Sequence, residues 1–116
     1  MARGRNPDFM NGVPELLILR LLRDREMYGY DLANAIREST GGEISLGEGV
    51  VYPTLHALER QNLVASSNRK VRGRTRIYYR LTPAGEKRLA DQTSHWARLV
   101  QAVATCIKGE NRHAEA

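Results

Sequence analysis

No apolar run in this sequence approaches the roughly 20 residues needed to span a bilayer. The basic N-terminus, residues 1–7, is not followed by a signal-type apolar stretch. Both absences predict a soluble chain with no membrane partner. One cysteine, Cys106, rules out an internal disulfide and fits a reducing compartment, so a cytoplasmic location is expected. Internal repeats and low-complexity tracts are also missing, and 116 residues with 41% hydrophobic side chains leave room for one small core. The groupings that carry catalysis are lacking as well. His56, His95 and His113 are scattered, with no acid at triad-like spacing, and no Gly-rich phosphate loop precedes a helix. His95 and Cys106 would lie about 16 Å apart on one helix, too far for one ion. No enzyme, no metal and no cofactor is expected.

The most informative absence is acid between residues 60 and 85. That window holds seven cations, Arg60, Arg69, Lys70, Arg72, Arg74, Arg76 and Arg80, and no Asp or Glu. The whole chain carries 18 basic and 13 acidic residues, so outside the window 11 cations face 13 acids and the remainder is net −2. The positive charge is local, which points to a bound polyanion, above all duplex DNA.

Around this window the sequence reads as helix, helix, helix, hairpin, long helix. Pro14 suits the first turn of a helix whose leucines make it apolar on most faces. Residues 30–39 have helical spacing, with Asp31 near the start and Gly41-Gly42 at the end. Ser45-Leu46-Gly47-Glu48 has the form of a capping box, with Glu48 as capping acid. In the helix that follows, residues 49–61, Val51, Leu55, Leu58 and Asn62 fall on the core side. Pro53 lies within it, so the regular helix starts near Val50 or kinks. Residues 63–67 and 76–81 read as strands joined by a basic turn over 69–74, with Gly73 supplying the turn. Thr82 and Pro83 cap a final helix reaching about Lys108. Its residues Leu89, Thr93, Trp96, Val100, Val103 and Ile107 recur at 4, 3, 4, 3 and 4, a coiled-coil-like seam. The expected fold is mainly α with a small β-hairpin: a winged helix-turn-helix plus a long C-terminal dimerisation helix. The expected divisions are a flexible arm (1–10), a DNA-binding domain (11–82), the dimerisation helix (83–108) and a disordered tail (109–116).

Three blocks then carry a family likeness. Tyr28-Gly29-Tyr30-Asp31-Leu32, the run from Glu48 through Tyr52-Pro53-Thr54-Leu55-His56-Ala57-Leu58 to Glu59, and the run from Gly73 through Tyr78-Tyr79-Arg80-Leu81-Thr82 to Gly85 closely resemble the PadR family of bacterial transcriptional regulators. The resemblance spans residues 13–108. It implies a homodimeric repressor bound to a palindromic operator, and the single C-terminal helix looks like the family's compact branch. Tyr-Pro inside the reader helix is the family's own pattern.

Expected DNA contacts follow. Arg69, Lys70, Arg72 and Arg74 reach phosphate or the minor groove from the turn. Arg76 and Arg80 either join them or brace the hairpin. On the reader helix Gly49 lets the backbone approach closely, Tyr52 and Thr54 meet phosphate or base edges, and Pro53 offers apolar contact to a thymine methyl. His56 faces outward toward phosphate. Tyr30 either meets phosphate at a helix N-terminus or packs in the core. Leu89, Trp96, Val100, Val103 and Ile107 form the expected dimer interface, with Cys106 as a small hydrophobe near its end. In a small multidrug-sensing member of the family, an equivalent tryptophan pairs with its dimer mate around a flat aromatic drug. By that resemblance Trp96, Leu99, Val100 and Val103 would take a small aromatic effector, or the gap is filled. Two rivals stand beside this reading: a winged helix that docks on an acidic protein, and a ligand-sequestering protein without DNA binding.

Overall fold

Residues 8–109 are described in a computed structural model of the chain. Helix α1 (Asp8–Asp24) buries Ile18, Leu19 and Leu22 and runs straight through Pro14. The proline was expected in the first turn, and it instead stands more than a turn inside. Its missing N–H leaves one backbone bond unmade near the helix start. The arm expected over 1–10 therefore loses residues 8–10 to the helix; residues 1–7 lie outside the described residues, as do His113 and the tail from 110 onward.

Strand β1 (Met27–Tyr28) leads directly into α2 (Gly29–Ser39), which buries Leu32 and Ile36. After Thr40 the chain turns through Gly41 and Gly42, at φ 64° and 83°, conformations that suit glycine. The Thr40 hydroxyl donates to the Ile36 carbonyl (2.8 Å) and accepts from the Ile44 N–H (3.1 Å). Ile44 and Leu46 pack on the core from the connecting segment. These anchors hold residues 44–46 off the helix until Gly47, the N-cap of α3 (Glu48–Arg60). The expected capping box does not form, because no side chain caps α3. Glu48 contributes only its charge, in the first turn.

Helix α3 turns Val51, Leu55 and Leu58 inward, as the spacing predicts. Asn62 leaves the core face; at φ 63° it is exposed and bends the chain into the sheet. Strands β2 (Val64–Val71) and β3 (Arg74–Leu81) pair antiparallel from Val64↔Leu81 to Val71↔Arg74. Strand β1 adds to the other edge of β3, through Met27↔Tyr79 and Tyr28↔Tyr78, so the sheet order is β1-β3-β2. The sheet gains a third strand that the sequence did not announce. Met27, Val64 and Tyr79 face the core.

Helix α4 (Pro83–Lys108) begins at the Thr82 cap, whose side chain accepts from the Gly85 N–H at 3.0 Å. Arg88 pairs with Glu15 of α1 at 3.0 Å, and Gln92 donates to the same carboxylate. Leu89, expected at a dimer interface, is 3% exposed inside the chain's own core. Beyond Gln92 the side chains of α4 are half-buried or exposed. The radius of gyration is 17.3 Å and the long axis 69 Å, against about 13 Å for a compact chain of this length.

Candidate nucleic-acid interface

The turn between β2 and β3 is two residues long, shorter than the basic turn expected over 69–74. Arg72 (φ 55°) and Gly73 (φ 81°) both take positive φ, the type I′ geometry that matches the strands' own twist. Arg69 and Lys70 consequently lie in β2, and Arg74 and Arg76 in β3. Period-two alternation then sorts the cations by face. Arg69, Arg74, Arg76 and Arg80 share the outer face with Tyr28 and Tyr78, while Lys70 projects from the other side.

The outer-face cations differ in their surroundings. Arg69 forms an ion pair with Glu26, and its guanidinium lies 4.5 Å from the Tyr78 ring centre. Arg76 lies 4.7 Å from the ring centre of Tyr28. Of the two alternatives for Arg76, the bracing geometry is the one present. Among the described residues, Lys70, Arg72 and Arg74 have no acid within ion-pairing distance. They are exposed at the tip.

The outward side of α3 presents Gly49, Pro53 and His56, all exposed, with Val50 beside them at 40% exposure. Nothing lies within 4 Å of where a Gly49 Cβ would stand, so the backbone there is open to close approach. The Thr54 hydroxyl donates to the Val50 carbonyl at 2.7 Å, leaving its oxygen as acceptor and its methyl for contact. Tyr52 is half-buried: its ring lies over Gly29, whose added Cβ would come 3.2 Å from Tyr52 Cε1. Burial raises the Tyr52 phenol above its ordinary value of 10.0, and the neighbouring Tyr28 and Glu48 add to the rise. Its neutral hydroxyl can donate as well as accept. His56 rests beside it, ring centres 6.3 Å apart.

Tyr30 is 59% exposed, so the core alternative is set aside. Its ring stands 5.9 Å from Tyr28 at the start of α2. Gly29, Tyr30, Asn34, Arg37, Glu48 and Tyr52 line a cleft of about 200 Å³ between α2 and the first turns of α3. The structure thus brings Tyr30, Tyr52 and His56 to one side of the molecule. Sequence reasoning missed Glu26, Tyr28 and Tyr78. Alternation in β3 puts Tyr78 beside Arg76, a usable signal; nothing marked Glu26, because β1 is only two residues long.

Along α4, Trp96 and Leu99 are partly buried, whereas Val100, Val103 and Ile107 are 45%, 46% and 78% exposed. Cys106 is exposed on the same helix. Among the described residues, no helix is long and apolar enough to cross a membrane, and no three His, Cys, Asp or Glu converge as a metal would require.

Comparison with known proteins completes the picture. Residues 18–91 match the family described as Transcriptional regulator PadR-like. The transcriptional regulator Rv3488 of Mycobacterium tuberculosis is 34% identical over 106 residues, covering 91% of this chain and 92% of that protein. A transcriptional regulator from Clostridium thermocellum superimposes with a TM-score of 0.78 at 26% identity, covering 85% of this chain and 97% of the other. PadR of Bacillus subtilis, solved in complex with operator DNA, gives a TM-score of 0.64 at 28% identity over 70% of this chain and 46% of its own.

Proposed function

The chain belongs to the PadR-like family of transcriptional regulators, and on that basis we propose that it binds duplex DNA as a homodimer and represses transcription from a palindromic operator. The observation that carries this reading is the wing tip. Arg72 on the two-residue turn, with Lys70 and Arg74 in the strand ends beside it, stands exposed without acid partners among the described residues. Such cations gain most from phosphate, because each neutralised phosphate releases condensed counterions. Helix α3 enters the major groove beside them, and sequence is read by Tyr52, Pro53, Thr54 and the open backbone at Gly49. His56 and Tyr30 meet the flanking phosphates. That a Bacillus subtilis relative was solved in complex with operator DNA supports DNA binding by this fold. An operator-bound repressor works on the chromosome, at the nucleoid in the bacterial cytoplasm.

Dimerisation rests on the exposed end of α4. Val100, Val103 and Ile107 form an apolar stripe on a helix that has left its own core, and pairing two such stripes removes it from water. It also sets two reader helices about 34 Å apart, one turn of DNA. A flat aromatic effector held between the two copies of Trp96, against Leu99, Val100 and Val103, would shift that spacing and weaken a hold that depends on both half-sites. A gel shift on the DNA upstream of the chain's own gene, at low and high salt, tests the reading. Retarded DNA at low salt supports it; no retardation at either salt defeats it. Titration of planar cationic aromatics against Trp96 fluorescence tests the effector, and a broad panel without quenching removes it.

A further inference from the structure

We infer that Arg69 and Arg76 are positioning residues that set the wing, held by Glu26 and a row of tyrosines, and that neither neutralises a phosphate; this rests on the DNA-binding reading above. Arg69 and Arg76 are directly opposite across β2 and β3. Like charges in that arrangement repel and splay a hairpin. Each therefore needs its own counterpart, and each has one on the outer face. Arg69 pairs with Glu26 and covers Tyr78, while Arg76 covers Tyr28. The Glu26 carboxylate also accepts from the Ser67 hydroxyl of β2, at 3.4 Å. The Tyr28 ring stands 5.8 Å from Tyr78 and 5.9 Å from Tyr30. An unbroken row thus runs from the first turn of α2 to the middle of the wing. It fixes the angle of the wing against the helix that precedes the reader.

The same geometry withholds Arg69 from DNA. The Glu26 side chain is more shielded than that of Arg69, at 27% against 50% exposure. A phosphate brought to Arg69 would come within an ion pair's length of Glu26, and the repulsion offsets much of the attraction. The wing's DNA-facing charge is then Lys70, Arg72 and Arg74, while Arg69 on Glu26 and Arg76 on Tyr28 act through the wing's order.

Salt dependence separates the two roles. Full-length protein is titrated onto a fluorescein-labelled random-sequence duplex between about 50 and 200 mM salt. Arg72→Asn removes a charge while suiting the left-handed turn, so it should flatten the slope of log K against log salt by about 0.9 for each phosphate it no longer neutralises. Arg69→Ala and Arg76→Ala should weaken binding about 3- to 10-fold with a parallel slope, the loss expected when a stacked cation or a half-exposed ion pair no longer orders the wing. In the free protein, hydrogen exchange of the wing amides should speed up in Glu26→Gln and Arg69→Ala, and should not speed up in Arg72→Asn, which gives the turn its favoured Asn-Gly pair. A slope that flattens as much in Arg69→Ala as in Arg72→Asn overturns the inference, as does wing exchange that neither Glu26→Gln nor Arg69→Ala alters. Should the wild type ignore the duplex, the DNA reading fails, while the exchange measurement still decides whether Glu26 and Arg69 hold the wing.

Discussion

Alanine at Gly85 perturbs the joint between the wing and α4. The added Cβ would stand 2.1 Å from the Leu63 carbonyl oxygen and 2.6 Å from Leu81 Cδ1. Leu81 can swing aside, but Leu63 cannot. Its carbonyl accepts from the Thr82 N–H at 3.1 Å and from the Thr82 hydroxyl at 3.0 Å, and that hydroxyl in turn caps Gly85. The first turn of α4 must therefore back away, at an overpacking cost of about 1–3 kcal/mol. Loosening the Thr82 cap adds about 1 kcal/mol, and the better helix propensity of alanine returns less than about 1. The net loss is about 1–4 kcal/mol, a fall of about 4–16 °C in Tm for a chain of this size. Circular dichroism melts of Gly85→Ala and Gly49→Ala make the comparison. Gly49 has nothing within 4 Å, so its alanine variant should melt at or slightly above the wild type. If Gly85→Ala melts within about 2 °C of the wild type, the close joint between β2 and α4 is not there.

Three further outcomes are expected. Val103→Asp should leave the helical spectrum intact and shift the sedimentation coefficient to that of a monomer; an unchanged sedimentation profile removes α4 as the dimer seam. Tyr52→Phe keeps the ring over Gly29, so stability should change by less than about 0.5 kcal/mol, while discrimination between operator and random duplex falls; full discrimination would show that the hydroxyl reads nothing. Burial raises the phenols of both Tyr52 and Tyr79 above 10.0, with Glu59 adding to the rise at Tyr79. The folded state thus favours their neutral forms. The stability these two phenols contribute should be fully present up to pH about 10 and be lost as pH climbs through the raised values, so urea midpoints fall there; midpoints that rise there contradict the buried placement.

The helices were legible because their signals are local. Thr82-Pro83 cap α4, and Val51, Leu55 and Leu58 mark the inner face of α3 in the sequence as in the fold. What escaped was set by tertiary packing. Ser45 looks like a helix cap, yet Ile44 and Leu46 pack on the core and Thr40 grips Ile44, so the helix waits for Gly47. Leu89 belongs to the seam by spacing, but α4 still lies on the body at that point and spends the side chain internally. Strand β1 is two residues long, too short for any periodicity to show. The site was half legible. A window without acid identifies the wing, but composition alone does not distinguish Arg69, which faces Glu26 from 43 positions away, from Arg72, which faces water.

The salt dependence of duplex binding, compared between the wild type and the Arg72→Ala/Arg74→Ala double variant, decides whether the wing tip holds phosphate. The wild type should show a steep negative slope of log K against log salt, flattened in the variant by roughly 0.9 for each phosphate left without its cation. A wild type whose slope is near zero, or a variant whose slope matches the wild type's, would contradict it.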